Sequence, residues 1–430
     1  MIERTERLPE GPHADIIVLG GGLAGCAAAY AAALLGKKVI LVEKSTMLGG
    51  LATLGQVNLF VSMCNGRGKL ICRGMAEEFL KLSVRYGYGD VPADFVDGEI
   101  PAEKLAAYAA EGQNPPRYKT RFSIGVFSLQ LTELLTECGV SLYFDTLFSG
   151  VIRDEADPGR IRGVIIETKS GRSVISASQY VDTTGDADLF RRMDAPTVKR
   201  GGFHMLSAIA TDLDHLKLAL EAGNIQKMYF DACGGEVNLF GRGPEADLAV
   251  GTYDGTDGAE INRYLVANQL QMLDKWKDEE HRRERDIIFP SGMVQLRTTA
   301  RIDGVYTMTT RDEFRHFDDS VSAICDFSRR GYLYEVPFRS LIVKGYDNCI
   351  AGGRIISADG WMWDAIRVIP PAILTGQAAG TAAALAAEAG CAIGDVDIAA
   401  LQKELTKRNV LLHFDDADVP AELVSAHEGE

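Results

Sequence analysis

Three glycines near the N-terminus have the spacing of a phosphate-binding turn. Gly20, Gly22 and Gly25 follow the pattern G-x-G-x-x-G directly after an apolar run, and Glu43 follows Gly25 by 18 residues. In such a turn the first glycine permits a tight bend, the second lets the backbone approach a pyrophosphate, and the third lets a helix pack closely on a sheet. An acidic residue about this far downstream accepts hydrogen bonds from ribose hydroxyls. The pattern predicts dinucleotide binding, with a purely structural glycine turn as the alternative.

The elements around this turn are those that a dinucleotide site requires. Residues 15–19 form a predicted buried strand, residues 23–35 an alanine-rich helix, and residues 38–42 a second strand that ends at Glu43. In this βαβ unit a pyrophosphate would lie at the helix N-terminus, where unpaired N–H groups and the positive end of the helix dipole stabilise it.

The rest of the chain continues this organisation and then departs from it. A helix over residues 127–138, a strand over 140–144 and a buried strand over 179–182 are predicted, and three short strands at 148–153, 161–168 and 173–177 indicate an antiparallel meander. From about residue 195 to residue 346 the alternation is irregular, with a long polar helix expected near 260–285. Residues 348–390 are expected to form a strand, a glycine turn and a long helix.

Composition excludes several classes of protein. The 430 residues carry a formal charge of -15, which disfavours non-specific binding to nucleic acid or to an anionic membrane surface. The eight cysteines have neither CxxC nor ferredoxin spacing, so no metal is predicted. The N-terminus lacks the apolar segment of a signal peptide, and the two apolar stretches, 14–35 and 372–393, do not have the pattern of membrane spans. We therefore expect a cytoplasmic protein.

Residues 15–55 resemble the start of FAD-dependent oxidoreductases that share the glutathione-reductase type of fold. The branch most resembled is the bacterial FAD-dependent oxidoreductase family related to the fumarate reductase and succinate dehydrogenase flavoproteins, because the turn Leu48-Gly49-Gly50 follows the ribose-binding acid. Residues 180–188 are similar to the second FAD signature of that family, and residues 350–357 and 367–380 to its C-terminal flavin signature. The resemblance implies that the cofactor is FAD.

The resemblance also implies particular contacts to FAD. Val368 and Ile369 would direct backbone N–H groups at the flavin ring, Gly353 and Arg354 would lie along the ribityl chain, and Leu147 or Phe148 would contact the adenine. The complete predicted cofactor-binding set is Gly20, Gly22, Leu23, Ala24, Gly25, Glu43, Lys44, Gly49, Gly50, Leu51, Leu147, Phe148, Thr184, Gly185, Asp186, Gly353, Arg354, Val368 and Ile369.

The predicted fold class is α/β with two domains. A Rossmann-like FAD-binding domain, made of a parallel sheet with helices and the small meander, would comprise residues 1–194 and 347–430. A second α+β domain, over residues 195–346, would cover the substrate.

Few residues are predicted to carry the chemistry, because a bound flavin performs hydride transfer itself. Arg297 and Arg301 could bind a substrate carboxylate, and their alternative is pairing with internal carboxylates. His204 or His316 could act as an acid or base, although a lone histidine is more often structural. Cys64 could have a redox role, with a buried inert thiol as the alternative.

The predicted function is hydride transfer between FAD and a small organic substrate bound between the two domains. An electron donor or acceptor is required, and the sequence does not identify it, just as it leaves homo-oligomerisation open. The alternatives are a flavin enzyme of another class, such as a hydroxylase or a modifying enzyme, and a non-catalytic FAD-binding protein.

Overall fold

The computed structural model describes residues 5–202, 206–233 and 253–423. The strands within these residues are β1 Glu10–Leu19, β2 Val39–Val42, β3 Leu59–Phe60, β4 Thr120–Arg121, β5 Ser141–Tyr143, β6 Leu147–Arg153, β7 Ile161–Thr168, β8 Gly171–Asp182, β9 Thr197–Lys199, β10 Ser207–Asp212, β11 Phe230–Cys233, β12 Arg285–Pro290, β13 Ala300–Ile302, β14 Ser320–Cys325, β15 Leu333–Pro337 and β16 Cys349–Ala351. The α-helices are α1 Leu23–Leu34, α2 Met75–Val84, α3 Ala102–Ala110, α4 Ile124–Glu137, α5 Asp188–Arg192, α6 Leu213–Ala222, α7 Gly258–Trp276, α8 Gly360–Ile366, α9 Ile369–Ala389 and α10 Ile398–Lys407.

A mostly parallel sheet organises the molecule. Its strand order is β5-β2-β1-β8-β7-β6, and β16 lies beside the C-terminal part of β8. Leu19 pairs with both Val42 and Asp182, and Asp182 also pairs with Ala351, so four parallel strands end at the same level. Ligands of open parallel sheets bind beyond these carboxyl ends. The predicted α/β fold class is confirmed.

The antiparallel meander is formed by β6, β7 and the first part of β8. The sequence predicts two separate strands, a meander strand at 173–177 and a buried strand at 179–182, whereas both belong to the single strand β8. No glycine or proline interrupts the chain between them, and β8 pairs with β1 from Glu10 to Leu19. One long strand therefore joins the meander to the parallel part of the sheet.

Helices α1 and α9 pack against each other at very short range. A Cβ atom added at Gly376 would lie 2.1 Å from the carbonyl oxygen of Ala24, and one added at Gly380 would lie 2.1 Å from that of Ala28. Only glycine permits this approach of two helix backbones. The packing brings the N-terminal ends of both helices to the same edge of the sheet.

The described residues contain two hydrophobic cores. The larger core contains β1, β2, α1 and α9, and residues between 300 and 343 also belong to it. The smaller one is formed by residues between 206 and 296, including Tyr253 and Tyr264. The predicted domain boundaries at 195 and 346 stay a prediction.

The long polar helix was predicted to extend to residue 285, but α7 ends at Trp276. Arg285 begins strand β12, which pairs with β10 in a small antiparallel sheet. The charged run before it is stabilised locally, since His281 Nδ1 lies 2.7 Å from Asp278 Oδ2.

In the described part of the chain, no single helix has the length and apolarity to cross a membrane. The pair α8 and α9 meets those two criteria only when taken together, and the two helices are bent by 81° relative to each other.

Candidate active site

Three loops meet where the parallel strands end. They follow β1, β8 and β16, and Thr183 joins the first two, because its hydroxyl donates to the carbonyl oxygens of Leu19 and Gly20 at 2.8 Å each. The backbone N–H of Gly352 donates to Asp182 O at 2.9 Å and joins the third. These bonds fix the loops as one unit.

The glycines of the first loop perform different structural tasks. Gly20 has a φ of +97°, and a Cβ there would lie 2.6 Å from the carbonyl oxygen of Thr183. At Gly25 a Cβ would lie 1.8 Å from the carbonyl oxygen of Gly20, so this glycine is required by the packing of α1. At Gly22 a Cβ would meet no atom within 4 Å. The open side of Gly22 is therefore the side on which a ligand can approach the backbone.

Glu43 is positioned by the same loop. Its Oε2 accepts a hydrogen bond from the Gly21 N–H at 2.6 Å, and its Oε1 accepts one from the Ser45 N–H at 2.8 Å. The residue is only 8% exposed. Each carboxylate oxygen has a further lone pair, so the fixed carboxylate can still accept hydrogen bonds from a sugar hydroxyl.

The start of α9 has few backbone N–H donors. Val368 is the N-cap residue, and its carbonyl accepts the N–H of Ala372 at 3.0 Å. Pro370 and Pro371 follow Ile369 and have no N–H. Ile369 therefore has the only N–H among the first three residues of this helix, at the positive end of its dipole.

Asp182 is a buried carboxylate at the end of β8. It accepts hydrogen bonds from the backbone N–H of Thr184 at 3.0 Å, from the hydroxyl of the same residue at 2.7 Å, and from the N–H of Leu189 at 3.0 Å. Burial outweighs these bonds and raises the pKa of Asp182 to about 6. The side chain holds the turn over residues 183–186 in place.

Arg354, in the loop after β16, connects these three loops to the segment before β13. Its guanidinium donates to Asp186 Oδ1 at 2.8 Å, to Gly185 O at 2.5 Å and to Leu296 O at 2.8 Å. The hydroxyl of Thr299 also donates to Asp186 Oδ1, at 2.7 Å. Hydrogen bonds thus connect the turn after β8 to the loop after β16 and to the segment before β13.

The three loops border a cavity of about 760 Å³. It is lined by most of the predicted cofactor-binding residues, namely Gly20, Gly22, Leu23, Ala24, Glu43, Lys44, Gly49, Gly50, Leu51, Leu147, Phe148, Thr184, Gly185, Asp186, Gly353, Arg354 and Ile369. Gly25 and Val368 are not part of the lining, because Gly25 packs against Gly20 and Val368 caps α9 from outside its first turn. Apart from these two, the predicted cofactor-binding residues therefore lie on one continuous surface.

Comparison with known proteins identifies the family. The chain matches the family described as FAD dependent oxidoreductase over residues 15–205 and 291–405, which is more than two thirds of its length. It belongs to the FAD-dependent oxidoreductase family. The bacterial FAD oxidoreductase resemblance and the FAD cofactor predicted from the sequence are confirmed.

More distant likenesses accompany this match. A bilirubin reductase of Mediterraneibacter gnavus is 32% identical over 108 residues, which cover 25% of this chain and only 16% of that reductase. Among solved structures, a p-nitrophenol 4-monooxygenase of Pseudomonas putida has a TM-score of 0.45 at 13% identity, covering 97% of this chain and 93% of its own. An L-proline dehydrogenase of P. horikoshii has a TM-score of 0.41 at 13% identity, covering 94% and 100%.

The cavity fits the FAD of this family. Gly22 leaves room for a pyrophosphate at the start of α1, Glu43 would accept hydrogen bonds from the ribose, and the Ile369 N–H would be a donor at the start of α9. Gly50 would bring a Cβ within 3.1 Å of the Cα of Gly22, so the loop that carries Gly49 and Gly50 lies directly against the first loop. When bound, FAD supplies hydride transfer at the flavin N5 atom.

A second wall of the cavity was not predicted. It contains side chains of α7 and of the segment before β13: Ile261, Leu265, Gln269, Ser291, Met293, Val294 and Leu296. Ile261, Leu265 and Gln269 are spaced by four residues and therefore share one face of α7. That spacing could have indicated a common face, but no sequence signal shows that the face lines this cavity.

Two of the three predicted catalytic residues, Arg297 and Arg301, are described by the structure, and neither lines this cavity. Arg301 is 4% exposed, and its Nη1 donates to Ile302 O at 3.0 Å and to Ser357 Oγ at 3.2 Å. Among the described residues, those lining the cavity include neither Arg301 nor Arg297. His204 lies outside the described residues. Both of these hydrogen bonds go to a carbonyl or hydroxyl oxygen, and the carboxylate of Asp303 lies 3.8 Å from Nη1, so the role of Arg301 stays a prediction.

The two other candidates are also held by protein groups. Cys64 is buried, its sulfur accepts the N–H of Tyr118 at 3.2 Å, and burial raises the pKa of its thiol. A thiol of this kind is a poor nucleophile. His316 contacts Glu335 and Asp416 rather than the FAD cavity.

Proposed function

We propose that this protein is a FAD-dependent dehydrogenase or reductase that moves hydride between the flavin and a small, mainly apolar organic substrate. The observation that carries the proposal is the two-sided cavity. One wall is the FAD cradle at the ends of β1, β8 and β16, and the other consists mainly of apolar side chains from α7 and from residues 291–296.

The character of the second wall supports the substrate class. Ile261, Leu265, Met293, Val294 and Leu296 provide apolar contact area, and such surfaces bind apolar groups by excluding water. Gln269, on the α7 face described above, adds an amide that can both donate and accept hydrogen bonds. This composition favours a substrate with a hydrophobic body and one polar group.

The sequence indicates fewer candidates for the second redox partner than in enzymes with two nucleotide sites. The sequence has one strand-linked G-x-G-x-x-G, at Gly20 to Gly25, and the FAD cradle uses it. The second redox partner is therefore expected to be an organic molecule, a quinone, oxygen or a carrier protein. The bilirubin reductase match supports reduction of an organic compound, over the quarter of the chain that it covers.

The test is anaerobic reaction of the purified holoenzyme with a panel of small apolar substrates and reductants. Loss of the flavin absorption with one compound, followed by its return with a second, would support hydride transfer without oxygen. Product formation that requires oxygen and incorporates one of its atoms would instead indicate a hydroxylase. A flavin that no compound reduces or reoxidises would indicate a non-catalytic FAD-binding protein.

Two leucines of α7 give a matched pair of variants for the substrate wall. Leu265 lines the cavity, whereas Leu270 is 56% exposed on another side of the same helix. Leu265→Ala should raise KM severalfold at unchanged FAD content, and Leu270→Ala should leave KM unaltered. Equal KM values for both variants would show that this face of α7 does not contact the substrate.

A further inference from the structure

A histidine-carboxylate cluster lies outside the FAD cavity. Glu335, on β15, is fully buried, and its two carboxylate oxygens face two different imidazole rings. His316 Nδ1 lies 2.6 Å from Oε1, and His413 Nδ1 lies 3.0 Å from Oε2. The two imidazole nitrogens and the carboxylate all lie within 4.8 Å of one another.

The surroundings of the cluster fix the orientation of one ring. The other nitrogen of His316, Nε2, lies 2.8 Å from Asp416 Oδ1, and the ring of Phe414 packs against the imidazole at 4.4 Å between centroids, tilted by 31°. A carboxylate that accepts the distal N–H of a histidine is the usual partner of a metal-binding imidazole, because it selects the tautomer whose nearer nitrogen is free to bind. The backbone N–H of Phe317 donates to Glu335 Oε2 at 2.8 Å and orients that carboxylate as well.

From this geometry we propose that His316, Glu335 and His413 form a binding site for a borderline divalent cation of the Zn²⁺ type. Both imidazoles would bind through Nδ1, and Glu335 would bind through its carboxylate. In a tetrahedral zinc site, with metal–ligand distances of about 2.0–2.2 Å, neighbouring ligand atoms are roughly 3.4 Å apart. The two His–Glu distances, 2.6 and 3.0 Å, are each within 1 Å of this value, so a cation requires only small side-chain movements.

Ligand type and charge select the kind of cation. Two imidazoles and one carboxylate suit zinc and its neighbours, whereas Ca²⁺ and Mg²⁺ prefer oxygen ligands throughout. The side chains of His316 and His413 are 42% and 46% exposed, so water can occupy a fourth position. Binding would displace the Nδ1 protons, and the carboxylates of Glu335 and Asp416 would balance the charge of the cation.

The site would join three distant parts of the chain. His316 precedes β14, Glu335 belongs to β15, and His413 follows α10. A bound cation would therefore fasten the segment around residues 413–416 to the β14–β15 hairpin. Among the described residues this is the one group of histidine, cysteine and acidic side chains with such proximity, and its members are too far apart in sequence to form a recognisable motif.

The test is a calorimetric titration with Zn²⁺ of tag-free holoenzyme that has been dialysed against a chelator. We expect saturable binding of one Zn²⁺ per chain, and a loss of affinity of about tenfold or more in His316→Ala and in His413→Ala. His215→Ala is the matched control, because His215 Nδ1 also lies 2.7 Å from a carboxylate, that of Asp212. Among the described residues, His215 does not belong to a group of three possible metal ligands. The control should bind Zn²⁺ with wild-type affinity.

A second readout does not depend on heats of binding. Because a ligand that binds only the folded state stabilises it, Zn²⁺ should raise the Tm of the wild type and of His215→Ala, but not that of the His316→Ala/His413→Ala double variant. Both replaced side chains are partly exposed, so the double variant is expected to fold. Equal Zn²⁺ affinity in the wild type and the double variant, or no binding by the wild type, would overturn the proposal.

Discussion

The guanidinium of Arg354 lies 2.8 Å from the carboxylate of Asp186, and this ion pair joins the loop after β16 to the loop after β8. The same guanidinium donates to the carbonyl oxygen of Leu296, and Leu296 lines the opposite wall of the cavity. A single side chain therefore connects the FAD cradle with the proposed substrate wall. Replacing it should affect the cofactor and the substrate together.

Arg354→Lys should weaken FAD binding by roughly one order of magnitude. Lysine retains the charge but cannot reproduce hydrogen bonds in three directions from a planar group. Arg339→Lys is the control, because Arg339 pairs with Asp319 outside the cavity and is 47% exposed. Fluorescence titration of both apoproteins with FAD measures the effect, and equal affinities for the two variants would contradict the assigned role of Arg354.

Two glycines of the same motif are expected to respond differently to alanine. Gly22→Ala should leave the apoprotein as stable as the wild type, because its Cβ meets no protein atom, yet it should lower FAD affinity severalfold or more. Gly25→Ala should destabilise the fold itself, since its Cβ would lie 1.8 Å from a carbonyl oxygen.

Chemical denaturation of the apoproteins and titration with FAD separate these two effects. If Gly22→Ala bound FAD with wild-type affinity, the open side of that glycine would not be the pyrophosphate site. If Gly25→Ala were as stable as the wild type, α1 could not pack as closely as described.

Ile369→Pro tests the donor at the start of α9. Proline is favoured at the first position of a helix, and it would remove the Ile369 N–H while preserving the backbone course. We expect a lower flavin reduction potential, because a hydrogen-bond donor to the flavin ring stabilises its reduced state. Ile369→Val retains the N–H and should keep the wild-type reduction potential. The same potential in both variants would show that this N–H does not donate a hydrogen bond to the flavin.

Asp182 should make a measurable contribution to the pH dependence of stability. Its pKa is about 6 in the folded protein, against an ordinary value of 3.8, so the folded state retains the proton longer than the unfolded state does. The contribution of Asp182 to the free energy of unfolding should therefore decrease as the pH rises from 3.8 to 6, by about 3 kcal/mol in total, and then remain constant.

Asp182→Asn removes this titration, so the difference in unfolding free energy between wild type and variant isolates it. Denaturation at constant excess FAD from pH 4 to pH 7 gives that difference. A difference that stays constant over this range, or that rises in favour of the wild type, would contradict the raised pKa.

The sequence predicted the cradle because its residues are constrained by local chemistry. Gly20, Gly22 and Gly25 are recognisable from spacing alone, and Glu43 is placed by the length of one helix and one strand. Long-range packing determined the rest. The proposed substrate wall on α7 depends on how that helix is placed beside the cavity, and the burial of Arg301 beside Ser357 depends on a contact between residues 56 positions apart.

The same reason explains the continuous strand β8. Its residues resemble two short strands when their neighbours are ignored, but pairing with β1 extends over both of them. The His316, Glu335 and His413 cluster likewise forms only when α10 and the segment after it fold back on the β14–β15 hairpin.

The visible absorption spectrum of the purified protein, with identification of the chromophore released by heat, shows whether the cavity holds FAD. We expect the two bands of oxidised flavin and the release of intact FAD, in an amount close to one per chain. A colourless protein that also fails to bind added FAD would contradict this expectation, because the cavity at Gly22, Glu43 and Ile369 would then bind a different ligand.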